Sequence, residues 1–254
     1  MAEEFPHVRF DGLDIGELLS LQHLPCVIAY MGPVPIATRY PPVNVLFEMH
    51  DINQPLRYRD EHYDLVHARS ISLAVSWFHP CVLCTASRGP PPSPFSQVRD
   101  YRALVDEVAR ILRPRGLFLA CEWGRHPAMI RGRDPAINLP RATEFFRVVN
   151  DTLIWSRGIH QAAPHLTQYL EESGHFVDIH RRRVEMPIGG GDLLGEEFRQ
   201  VMRMYAESMK VMLLEAGGRT AEEIDELVRG FLYEVNNVPG MVSIYYAVHA
   251  RKRL

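Results

Sequence analysis

Hydrophobic positions along this chain come in two rhythms. Short apolar runs, Val45 to Met49, Asp64 to His67 and Leu117 to Trp123, are each followed by polar residues. Runs of this kind suit strands buried on both faces of a parallel sheet. Between them, Leu104, Val108, Ile111 and Leu112 recur at a 3.6-residue period, which predicts a helix over Asp100 to Leu112 with one apolar face. Asp100 is placed to cap that helix, and Pro114 and Gly116 to stop it. Strand, helix and strand at this spacing make a right-handed βαβ unit. In such sheets ligands bind beyond the carboxyl ends of the strands, so Asp51, Ile52, Ala68 and Arg69 are the first places to look for a site.

The same reading extends to both ends. Val8 to Ile15 is expected as a strand closing on an acid, Asp14. Ala142 to Ser156 reads as a helix with Phe145, Phe146, Val149, Leu153 and Ile154 on its apolar face. Pro164 opens a helix over His165 to Ser173, and Gly174 closes it. Phe176 to Met186 alternates as a strand, interrupted by arginines. Helices over 193–216 and 221–235 follow a triple glycine, the second with a Thr220–Glu223 capping box, and Met241 to His249 is the last strand. Two segments, 17–33 and 76–97, lack any period and are expected to be irregular insertions; the second holds five prolines. The whole chain, 1–254, reads as one domain, with 191–237 a helical insertion or lid.

Composition narrows the classes. The chain has 254 residues, 46% apolar and 23% charged, with a net charge of −3, which gives no reason to expect nucleic acid as the partner. Arg181 to Arg183 and Arg251 to Arg253 read as solvated strand edges. Four cysteines do not make a disulfide framework, which suits a reducing compartment, the cytoplasm first and the nucleus second. No run approaches the ~18 apolar residues that a membrane span needs, and Met1-Ala2-Glu3-Glu4 does not read as a signal peptide. Only seven residues precede the strand at Val8, so the chain reads as starting within a domain, with no opening strand and glycine-rich turn.

The order of these motifs resembles the class I S-adenosylmethionine-dependent methyltransferases, and among them the fungal methyltransferase-domain proteins. The residues that carry the resemblance are Gly12 to Ile15, Phe47 to Ile52, Tyr63 to Arg69, Val108 to Leu117 and Glu122-Trp123. The resemblance covers most of residues 5–186. It implies a Rossmann-like, doubly wound, mostly parallel α/β sheet and S-adenosylmethionine as cofactor. It also implies roles. Asp14 would hold the ribose hydroxyls, followed by Ile15; Asp51 would hold the adenine amino group, and Ile52 would pack on its ring. Ala68 and Arg69 would lie near the methionine end. The family's second glycine pattern is altered, because Arg115 stands where a first glycine is usual after proline. The absent glycine-rich loop implies weak cofactor binding.

Other residues have two readings each. Glu122 and Trp123 end a strand at the correct edge and either line a substrate pocket or, for Trp123, join the core. His126 is a surface loop histidine or a general base. His79, Cys81 and Cys84 are half of a zinc pattern without its second pair, so metal is not expected. Met202, Met204, Met209 and Met212 suit core packing or a pliable lid. Three functions follow. The first is methyl transfer to a small molecule, which needs positioning more than a catalytic constellation. The second is a non-catalytic relative acting through a protein partner. The third is a nicotinamide-dependent oxidoreductase, since an acid after the second strand suits that too.

Overall fold

The computed structural model describes residues 4, 7–14, 29–31, 43–50, 52–72 and 100–254. They fall into two compact units. The first comprises Met1–Cys121, Leu166–His180 and Val248–Leu254, and the second Glu122–His165 and Arg181–Ala247.

The first unit is built on parallel strands. β1 (Phe10–Asp14) pairs with β2 (Ala29–Met31) and with β3 (Val45–Met49). β2 pairs with β4 (Tyr63–Arg69), and β4 with β5 (Leu112–Trp123). The strand order is therefore β3-β1-β2-β4-β5, followed by the last strand, β8 (Met241–Lys252). Tyr63, Val66 and Ala68 of β4 are completely buried, as expected for a strand covered on both faces. Three residues of the segment read as irregular, 29–31, form the central strand β2. The rest of 17–33, and all of 76–97, lies outside the described residues.

The helix α1 (Tyr101–Ile111) forms as its period requires, with Asp100 accepting from the backbone N–H groups of Arg102 and Ala103. Leu104, Val105 and Val108 fill its buried face. The chain does not pause after it. β5 begins at Leu112, five residues before the expected start, and Arg113 to Gly116 bulge opposite Asp64 while pairing resumes at Leu117. Bulges of this kind bend a strand without ending it. Arg115 takes a left-handed backbone, φ 64°, where a glycine would be at ease. Gly116 has a different reason to be glycine, since a Cβ there would meet the Arg113 carbonyl at 2.8 Å. The basic end of β8 holds this bulge. Lys252 Nζ donates to the Leu112 carbonyl at 2.7 Å and Arg251 to the Arg115 carbonyl at 3.1 Å. These two are therefore pins and not simply solvated charges.

α4 (Leu166–Ser173) follows a single 3-10 turn that takes in Ala163–His165, and it joins α1 through Arg102 and Glu172 and through stacked Tyr101 and Tyr169 rings. β7 (Phe176–Pro187) pairs with β8, and its Arg181, Arg182 and Arg183 are exposed, as a protected sheet edge requires.

The second unit packs α3 (Pro140–Arg157), α5 (Leu193–Ala216) and α6 (Ala221–Asn237). The span 124–141, read as loop, contains a two-residue strand, β6 (Ala128–Met129), antiparallel to β8, and a short helix, α2 (Pro135–Asn138). Phe145 of α3 stacks on Phe231 of α6 with ring centroids 4.3 Å apart. Ile154, assigned to the apolar face, is exposed. α3 starts on Pro140 without a side-chain cap of its own. Glu234 of α6 supplies one, accepting from Arg141 N at 3.0 Å and Ala142 N at 2.7 Å. The Thr220–Glu223 capping box is present. Met202, Met209 and Met212 are buried in core positions, while Met204 is exposed.

Candidate functional site

The register of the first unit defines a row of strand ends. Leu13, Met31, Ala68 and Ala120 stand level across β1, β2, β4 and β5. One residue further, Asp14 of β1 faces Met49 of β3, and Arg69 of β4 faces Cys121 of β5. Asp14 and Arg69 thus close neighbouring stretches of one carboxyl edge, separated by β2. Immediately beyond Arg69, Ser70 adopts φ 54° and donates its N–H to the Cys121 carbonyl at 2.8 Å, which turns the chain away from the edge. β3 and β4, successive in the chain, lie on opposite sides of β1 and β2, so the order of strand addition reverses here while the strands stay parallel. Ligands bind in α/β sheets at such a reversal.

Ile52 follows β3 in a turn and is buried. Its loop is fastened to α1 by one residue pair. Arg110 donates to the carbonyls of Leu56 at 2.9 Å and Tyr58 at 2.7 Å and to Asp60 at 2.8 Å. Glu107 accepts from Arg110 and from the Leu56 N–H at 2.9 Å. The hydrogen bond from Arg110 holds the Glu107 carboxyl below the usual carboxylate range, and Glu107 in turn raises the guanidinium. Of the sequence-derived candidates, the strand register brings Asp14, Ala68 and Arg69 to this edge, while Ile52 is buried in the turn after β3. Ile15 and Asp51 lie outside the described residues, as do His79, Cys81 and Cys84.

A buried acid that the sequence reading passed over sits behind the row. Asp11 of β1 is 2% exposed and accepts the Tyr63 hydroxyl at 2.9 Å. Burial, then Tyr58 and Asp11, push the Tyr63 phenol far above its ordinary range, so it remains a donor. The only hint was an acid inside a strand with a tyrosine opening a later one.

The second unit has polar chemistry of its own. His126 lies in the bend between β5 and β6, as a loop reading expects, and is half-buried. Its Nδ1 lies 2.9 Å from Gln161 Nε2 and its Nε2 3.4 Å from the Tyr246 hydroxyl. Burial, then Arg183, lower its pKa, so the neutral ring is favoured over the protonated one. Beside it, Arg125 is buried, and its carbonyl accepts from Asn150 Nδ2 at 2.9 Å. Trp123 packs its ring 4.6 Å from Tyr245 and 5.0 Å from Phe198, and Glu122 is buried.

No family model matches the chain. The loganic acid methyltransferase structure with S-adenosylhomocysteine aligns with a TM-score of 0.51 and 11% identity, over 97% of this chain and 86% of that one. The fold is that of the class I S-adenosylmethionine-dependent methyltransferases. The chain resembles that family in its motif order and shares its α/β sheet. The secondary metabolism regulator laeA of Coprinopsis cinerea is 25% identical over 230 residues, 85% of this chain and 46% of its own length. The phosphoethanolamine N-methyltransferase 2 of Haemonchus contortus aligns over 84% of this chain and 38% of that methyltransferase, with 15% identity and a TM-score of 0.42. This chain spans less than half the length of both of these relatives.

Proposed function

We propose that this chain binds S-adenosylmethionine at the carboxyl edge of the first unit and transfers its methyl group to a small-molecule acceptor, in the cytoplasm. The observation that carries the reading is the level row at the reversal of strand order, with Asp14 ending β1 and Ala68 and Arg69 ending β4. The residue types suit the cofactor. A carboxylate at the end of β1 accepts two hydrogen bonds from a vicinal diol without donating any. Asp51 would accept from an adenine amino group, and buried Ile52 would give the ring an apolar shelf. Ile15, Ala68 and Arg69 would complete the edge. When bound, the cofactor supplies an electrophilic methyl group. The chain's own residues bind, orient and exclude water, which is most of what such a transfer needs.

A second reading, a regulatory protein acting through a protein partner, is favoured by the likeness to a secondary metabolism regulator. Calorimetry with S-adenosylhomocysteine, and separately with NAD, separates the readings. Binding of S-adenosylhomocysteine that falls about ten- to a hundredfold in Asp51→Ala and Asp14→Ala is the expected result. Unchanged affinity in both variants sinks the site assignment. Binding of NAD alone overturns the methyltransferase reading, and binding of neither favours the regulatory one.

A further inference from the structure

We propose that the outer edge of β7 in the second unit, Arg181 to Glu185, takes an extended acidic segment of a partner protein as an added strand. Nothing in the methyl-transfer reading uses these residues. β7 pairs with β8 on one side, and among the described strands it has no other neighbour. An edge strand offers a row of backbone N–H and C=O groups to any chain that can approach it. Here both faces are open as well. Arg181, Arg182, Arg183, Val184 and Glu185 are exposed in succession, so core packing does not account for their side chains. The strand is held instead by its ladder with β8, and just past its end the Ile188 N–H donates to the Met241 carbonyl at 3.0 Å.

Charge selects the occupant. Arg183 has an ion pair, with Glu185 at 3.6 Å, whereas Arg181 and Arg182 have none among the described residues. Successive side chains of a strand point to opposite faces, so these two cations project one to each side of the ribbon. A second copy of β7 paired over the arginines would set like charges against each other, which is unfavourable. The same charges attract a strand whose carboxylates fall at neighbouring positions, one for each face, directly across the ladder. Val184, 39% exposed, lies next to the arginines and suits an apolar residue beside the acids. Duplex nucleic acid fits less well. Five strand residues span only roughly 16 Å. The chain as a whole carries a net charge of −3, so the basic stretch is local. A backbone ladder gives such an edge its affinity, and the arginines on its two faces give it a preference for acids.

The test titrates the full chain with a labelled, end-capped peptide of three consecutive glutamates flanked by valine and threonine, read by fluorescence anisotropy. Saturable binding is expected, weakened by salt because the charge pairs are exposed. The same peptide with lysine for glutamate is expected not to bind. N-methylation of alternate peptide amides in one phase removes the donors that face β7 and is expected to abolish binding, while the other phase leaves it intact. Arg181→Glu with Arg182→Glu, checked for folding by circular dichroism, is expected to lose at least about tenfold in affinity. Arg181→Gln with Arg182→Gln is expected to lose about three- to tenfold. No binding of the glutamate peptide, equal binding of the lysine peptide, or equal effects of the two methylation phases would each overturn the site. So would undiminished binding in the charge-reversed variant, tighter binding of duplex DNA, or a dimer of the chain that charge reversal dissociates. The readout contains no S-adenosyl compound, so its failure is distinct from failure of the methyl-transfer reading.

Discussion

Arg110 and Arg125 are the same residue used in opposite ways. Arg110, on α1 in the first unit, is surrounded by acceptors: two backbone carbonyls, Asp60 and both oxygens of Glu107. Its side chain is 30% exposed, so water still reaches it. Arg125, in the second unit, is almost fully buried, and its terminal nitrogens have nothing to donate to. The first arrangement spends charge on architecture, holding the loop from Leu56 to Asp60 against α1. The second leaves charge unsatisfied inside the protein, a state that folding alone would select against. A partnered, partly exposed charge adds to stability, and an unpartnered buried one subtracts from it.

The sharpest way to break this comparison is Arg110→Ala. It leaves Glu107 and two carbonyls short of a donor and is expected to lower stability by about 3 kcal/mol in urea denaturation. A loss below about 1 kcal/mol would mean the loop is held by other means. Arg125→Met should carry the opposite sign. It removes an unpaired buried charge while keeping an unbranched apolar stem, so the variant is expected to be about 1–2 kcal/mol more stable. Destabilisation by a similar amount would show that Arg125 is a structural residue like Arg110. The smallest effect is in pH. The folded-state pKa of Glu107 is depressed, chiefly by the hydrogen bond from Arg110. Its stabilisation is therefore complete above the ordinary carboxylate range and is lost as pH falls through the depressed folded value. Stability measured from pH 7 downward should fall less steeply in Glu107→Gln than in the parent chain. Superimposable slopes would contradict the assignment.

Much of this molecule was legible from local pattern. α1 and its Asp100 cap, β3, α5 and the Thr220–Glu223 box follow from periods and caps, which depend on residues within one or two turns of each other. The carboxyl-edge candidates Ala68 and Arg69 were visible because a buried strand ending in a polar residue is itself a local signal. β5 was misjudged for a related reason. Pro114 and Gly116 read as breakers, but a bulge absorbs them, and Lys252 and Arg251 pin that bulge from the far end of the chain. His126 is in a loop as read, but its half-buried contacts went unseen because nothing near it in sequence announces Gln161 or Tyr246.

The sequence by itself determined the α/β class, the alternation of strand and helix, and the residue types available at the strand ends, because these rest on side-chain periodicity and backbone preference. Only the tertiary structure decided that residues 29–31 stand between β1 and β4, that Glu234 caps α3, and that Arg125 is buried without a partner. Strand order and partnering join positions tens of residues apart. Their energies come from ladders, desolvation and charge meeting in space, and none of these leaves a mark in a short window of sequence.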